Sequence, residues 1–127
     1  MGYKKEDYIS YRLSRSEEAI KYLELAISNN SLFNAENRIY YSVFYLVSAL
    51  AIKNNYSTSK HKQLRNWFHN NFIRNEIVSQ DLWKIYKKVF DNRIAGDYDD
   101  FKKFSIEQVN ADFNDMKFFC QEIKKLI

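Results

Sequence analysis

The chain has no proline and only two glycines, Gly2 and Gly96, in 127 residues. Proline breaks a helix interior because it lacks the N–H and its ring meets the preceding turn; glycine weakens a helix through backbone entropy. A chain that nearly dispenses with both has lost most of its turn punctuation, and helices are the element that tolerates this best. A length of 127 residues suits a single domain, 1–127, able to bury a core without staples. Hydrophobic residues at 46% and charged residues at 28% are those of a soluble globular protein.

Apolar spacing supplies the elements. In "EEAIKYLELAI", Ala19, Tyr22, Leu23, Ala26 and Ile27 recur at three and four residues, one face of a helix. "SNNS" interrupts, and Ser31 can cap the next helix. That helix carries Ile39, Tyr40, Val43, Phe44, Val47, Leu50 and Ala51 and is apolar nearly all round, which predicts the centre of the fold. "KNNYSTS" is a polar loop, with Ser59 as cap for a third helix containing Leu64, Trp67, Phe68 and Phe72. Ser79 caps a fourth, with Leu82, Ile85, Tyr86, Val89 and Phe90 inward. Ser105 and Gln108 form a capping box before a last helix with a seam from Ile106 to Ile127. The expected fold class is all-α, an up-and-down bundle of four to five helices.

Composition also excludes. A single cysteine, Cys120, allows no internal disulfide and reads as a small buried hydrophobe. The N-terminus lacks an apolar signal core, and the apolar run inside "IYYSVFYLVSALAI" is too short to span a bilayer, so no membrane partner is expected and the cytoplasm is the default. The formal charge of +4 permits RNA or an acidic partner without requiring either. Aromatic residues at 17% exceed what a small core hides, and an interface would absorb the surplus. No glycine-rich phosphate loop and no metal-ligand cluster is present, so neither a cofactor nor a metal is expected.

Three stretches could carry chemistry. "RNWFH" sets Arg65 and His69 four apart, close enough to act together on a phosphate, although a solvated surface pair has the same spacing. His61 opens the third helix, where a neutral imidazole could bond the preceding loop. "RIAGDYDD", residues 93–100, interrupts the helical pattern with Arg93, Gly96, Tyr98 and three acids. It reads either as an interhelix loop with an acidic cap or as a functional one.

Four segments together resemble the HEPN-domain family, in particular its short stand-alone prokaryotic members. "ENRIYYSVFYLVSAL" is similar to that family's central helix, "STSKHKQLRNWFHNNFI" to the next segment, "RIAGDYDD" to the close of its fourth helix and "SIEQVNADFNDMKFFCQEI" to its last. The resemblance implies a helical bundle, usually a homodimer, in prokaryotic toxin–antitoxin or defence systems. The implied partner is a minimal nucleotidyltransferase antitoxin, and the implied ligand is RNA or a nucleotide. Active relatives are metal-independent ribonucleases built on an arginine and a following histidine. Carried onto this chain, the arginine is Arg93, the tyrosine of the motif is Tyr98 and the histidine position holds Asp100. The tyrosine is the implied target of adenylation by the partner.

An aspartate is a poor substitute for that histidine. Cleaving RNA without a metal takes a base for the 2′-hydroxyl, an acid for the leaving oxygen and positive charge for the phosphorane; histidine titrates near neutrality and aspartate does not. Two readings follow. In the first, the chain is a dimeric nucleotide- or RNA-binding module with a degenerate ribonuclease motif, in which Arg93, Arg38, Arg65 and His69 contact the ligand. In the second, it is an endoribonuclease toxin in which a relocated histidine, His61 or His69, serves Arg93. A purely structural alternative pairs Arg93 with the acids and packs Tyr98 into the bundle.

Overall fold

The computed structural model describes residues 2–99 and 102–127. Five α-helices follow one another: α1 (Lys5–Ser28), α2 (Leu32–Lys53), α3 (His61–Phe68), α4 (Gln80–Tyr98) and α5 (Ile106–Lys124). A π-helical segment, His69–Ile73, continues α3. Among the described residues there is no strand, and the arrangement is the all-α bundle that the sequence predicts. No helix of the described residues is long and apolar enough to cross a membrane.

Helix α2 is the axis. It packs against α1, α3, α4 and α5, and 13 of its 22 residues are buried. Helix α1 lies along it through Ser16, Ala19, Leu23 and Ala26, a mostly small stripe that lets the two backbones approach. The Ser16 hydroxyl donates to the Ser42 carbonyl at 2.7 Å across this seam. Tyr22 does not join the stripe as its spacing suggests. It is 53% exposed, because Ala19, Leu23 and Ala26 already fill the seam.

The chain turns without glycine by placing other residues in the left-handed region. Asn30, Asn55 and Glu76 have φ of 54°, 64° and 59°. At each, the next residue's N–H reaches back five positions: Ser31 to Ala26, Tyr56 to Ala51 and Ile77 to Phe72. These are Schellman closures, with asparagine in the place usually taken by glycine at two of the three. Of the expected caps, Ser79 and Ser105 accept from the Leu82 and Gln108 N–H groups. Ser31 occupies the N-cap position but makes no cap bond, and its hydroxyl accepts instead from the Asn34 amide. Ser59 is not the cap of α3. Lys60 holds that position, and its N–H donates to Thr58 Oγ1.

The principal correction concerns residues 93–98. They do not interrupt α4 but form its last turns. Gly96 is helical and has no positive φ. A Cβ built there would stand 3.0 Å from Phe33 Cε2 and 3.5 Å from Phe104 Cε2, so the glycine makes room for rings rather than loosening a loop. The expectations for Asp100 and for the Tyr98 side chain lie outside the described residues.

Candidate functional site

Helices α2, α3 and α4 meet around two tyrosines. Tyr40 and Tyr41 are adjacent on α2, with ring centroids 5.3 Å apart; Tyr40 is fully buried and Tyr41 half-buried. His61, the first residue of α3, stacks on Phe44 at 4.3 Å and on Tyr40 at 5.5 Å. Its Nδ1 lies 2.5 Å from the Tyr40 hydroxyl, a hydrogen bond that replaces the loop contact expected of it. Burial first, and the nearby Arg93 charge second, lower the His61 pKa, leaving the imidazole neutral at pH 7. The Tyr40 phenol moves upward through burial and is held neutral.

Arg93 comes from α4 to the same rings. Its Cζ sits 5.4 Å from the Tyr40 centroid and 5.7 Å from that of Tyr41. One turn on, Asp97 Oδ2 is 3.3 Å from Arg93 Nε, yet that N–H is buried without an aligned hydrogen bond. The distance marks a charge contact, and the geometry excludes a directed bond. Among the described residues Asp97 is the one carboxylate paired with this guanidinium.

The other sequence-predicted cations divide. Arg38 Cζ lies 4.8 Å over the Tyr41 ring, and its guanidinium also donates to Asn37 Oδ1. Arg65 Cζ lies 4.2 Å over Phe90, whose ring is 5.8 Å from Tyr40. Arg38, Arg65, Arg93 and His61 thus surround one aromatic cluster. His69 does not: it packs 4.8 Å from Trp83, seven residues before Phe90 on α4, about 10 Å along the axis. Arg65 and His69 therefore pack on different parts of α4, Arg65 on Phe90 and His69 on Trp83. The sequence left open which histidine approaches Arg93, and the fold selects His61.

Two features escaped the sequence. Tyr40 reads as one more core aromatic, and its phenol–imidazole bond spans 21 positions with no local signal. Beside the site, Glu36 is 1% exposed and Asp112 2%. Lys88 Nζ is 2.9 Å from Asp112 Oδ1 and also pairs with Asp115, and the Asn92 amide donates to Asp112 Oδ2 at 3.2 Å. Burial, then Asp112, push the Glu36 carboxyl up to about 9. Neither Glu36 oxygen makes an aligned hydrogen bond, although the Asp112 and Lys88 charges act on it in opposite directions. Among the described residues no group of acids, histidines or cysteines is arranged to hold a metal.

Fold and site together define a class: a small helical bundle whose central helix gathers arginines and one histidine around buried tyrosines. A family model for the HEPN domain matches residues 9–126. The chain belongs to the HEPN family. It is 36% identical over 123 residues to a "UPF0332 protein" of Thermotoga maritima, spanning 97% of this chain and 93% of that one. It is also 27% identical over 117 residues to "Putative toxin MJ0142" of Methanocaldococcus jannaschii, spanning 87% and 78%. The protein is accordingly a short HEPN-domain chain.

Proposed function

We propose that this protein is the HEPN half of a prokaryotic toxin–antitoxin or defence pair, a cytoplasmic homodimer that binds RNA or a nucleotide and is regulated by a nucleotidyltransferase. The observation that carries the reading is the convergence of Arg38, Arg65 and Arg93 on the rings of Tyr41, Phe90 and Tyr40. Guanidinium groups beside aromatic faces suit a ligand made of phosphates and bases. The partner's target in this reading is Tyr98, the final residue of α4. Expression of the chain alone should arrest growth, and co-expression with the neighbouring nucleotidyltransferase should relieve it. Relief accompanied by adenylate on Tyr98, absent from Tyr98→Phe, supports the pairing; relief without modification refutes Tyr98 as the target.

A second reading, the metal-independent ribonuclease, gains from one observation: His61 lies against the same two tyrosines as Arg93. In the tautomer whose Nδ1–H donates to the Tyr40 oxygen, the neutral imidazole presents a bare Nε2. That nitrogen can take the 2′-hydroxyl proton as the oxygen attacks phosphorus, then return it to the departing 5′-oxygen. Arg93 would balance the charge of the phosphorane. Cleavage of single-stranded RNA in EDTA, lost in both His61→Gln and Arg93→Gln, is the expected result. Cleavage that survives His61→Gln refutes the relocated histidine.

A further inference from the structure

Helix α1 turns a second row of aromatic and cationic side chains toward the site. Tyr45 follows Tyr41 by one turn of α2, with centroids 5.9 Å apart. Arg15 of α1 bridges outward from it, donating to the Tyr45 hydroxyl at 3.0 Å and to the Tyr11 hydroxyl at 3.1 Å. Its Cζ is 4.9 Å from the Tyr45 centroid and 6.0 Å from that of Tyr11. Arg12 stands 5.8 Å from the Tyr11 ring. From one end to the other the row runs Arg38, Tyr41, Tyr45, Arg15, Tyr11, Arg12, three rings and three cations.

These cations are poorly neutralised. The carboxylate nearest Arg15, Glu18, is 4.0 Å from Nε, at the limit of an ion pair, and that N–H has no hydrogen bond. Phenols accept from the guanidinium without cancelling its charge. No carboxylate pairs with Arg12 or Arg38 among the described residues. Tyr11 is 52% exposed, and Tyr41 and Tyr45 are half-buried. The row begins at the site itself, since His61 is 5.8 Å from Tyr41. At its far end lies a groove of about 500 Å³ lined by Lys5, Tyr8, Arg12 and Tyr56.

We propose that Tyr41, Tyr45 and Tyr11, braced by Arg38, Arg15 and Arg12, form a base-stacking track that carries single-stranded RNA away from the Arg93–His61 centre. Rings give sequence-tolerant stacking faces, and arginines between them follow the phosphates, the combination that single-strand binders use. The spare positive charge favours a polyanion over an apolar protein partner. The track rests on the RNA-binding reading above and lengthens its footprint across α1.

The test measures fluorescence anisotropy with two probes, a uridine dinucleotide and an oligouridine of about 12 nucleotides, a length within the span of known single-strand sites. Tyr11→Ala and Tyr45→Leu should each weaken the long probe by about 5- to 150-fold, the range for losing one stacked base, and leave the dinucleotide unchanged. Tyr45→Phe keeps the ring and should keep the binding. Circular dichroism and melting of each variant establish that it is folded. Equal affinity of folded Tyr11→Ala and Tyr45→Leu for the long probe overturns the track. Wild-type protein that binds neither probe sinks the RNA reading and the track with it. A wild-type protein that binds the dinucleotide and gains nothing from the longer probe sinks the track alone. A dimer that falls apart in Tyr11→Ala would assign this face to a second copy of the chain and overturn the proposal.

Discussion

His61 shows how much a single residue owes to its surroundings. Its neutral form is favoured by burial and then by Arg93, so its folded pKa lies below the usual value of about 6.5. An unfolded chain binds a proton at this residue at a pH where the folded chain does not. The associated stability is present above the unfolded value and is lost as pH falls through the folded one. Two-dimensional NMR of the imidazole should therefore give a midpoint below about 6.5, and Arg93→Gln should move it upward. An unmoved midpoint in that variant would show that Arg93 does not act on the ring. Arg93 was legible as a candidate because motif spacing is written along the chain. Tyr40 was not, because its role depends on a partner 21 positions away.

Helices α2 and α4 hold the site together through packing. Phe44 is 7% exposed and lies face to face with His61. Phe44→Ala should cost about 3–5 kcal/mol in urea unfolding, the range for emptying a packed aromatic site. An unchanged midpoint would mean that the space collapses freely. The period of α2 identified it as the central helix in advance, and its burial agrees. The end of α4 went the other way. A glycine and three acids suggested a break, whereas the helix runs through Arg93 and Gly96 to Tyr98. Gly96→Ala tests the reason. A helix interior gains up to about 1 kcal/mol from alanine over glycine. The neighbour that must yield is the ring edge of Phe33, itself 46% exposed and able to shift. Gly96→Ala should therefore raise the melting temperature slightly, while Gly96→Leu, which has no such room, should lower it. A fall with alanine would mean that Phe33 is held fast.

Across the whole molecule, Asp112 of α5 is bonded to Lys88 and Asn92 of α4, and the buried carboxyl of Glu36 of α2 lies in their field. With its pKa raised to about 9, the folded protein keeps a proton that the unfolded chain gives up above about pH 5. The stabilisation is complete below the unfolded value and declines as pH rises toward the folded one, with a limiting slope of about 1.4 kcal/mol per pH unit. Urea unfolding of the wild type from acid to mildly alkaline pH should show this decline. Glu36→Gln, neutral and similar in shape, should flatten it and be the more stable protein at the alkaline end. Parallel slopes for the two would place the titration elsewhere. The homodimer of the proposed function also belongs at this scale, and sedimentation at high micromolar concentration should find twice the chain mass. A monomer there would refute it.

The sequence by itself determined the helical class, the central place of α2, two of the caps and the family. Each of these depends on local spacing or on residue order, which a chain carries without folding. Only the tertiary structure decided that His61 and not His69 joins Arg93, that Gly96 makes room for Phe33, and that Glu36 meets Asp112. Those outcomes turn on which faces of separate helices come together. Helical periodicity fixes which residues share a face, but the rotation and offset of one helix against another are set by side-chain packing across the seam.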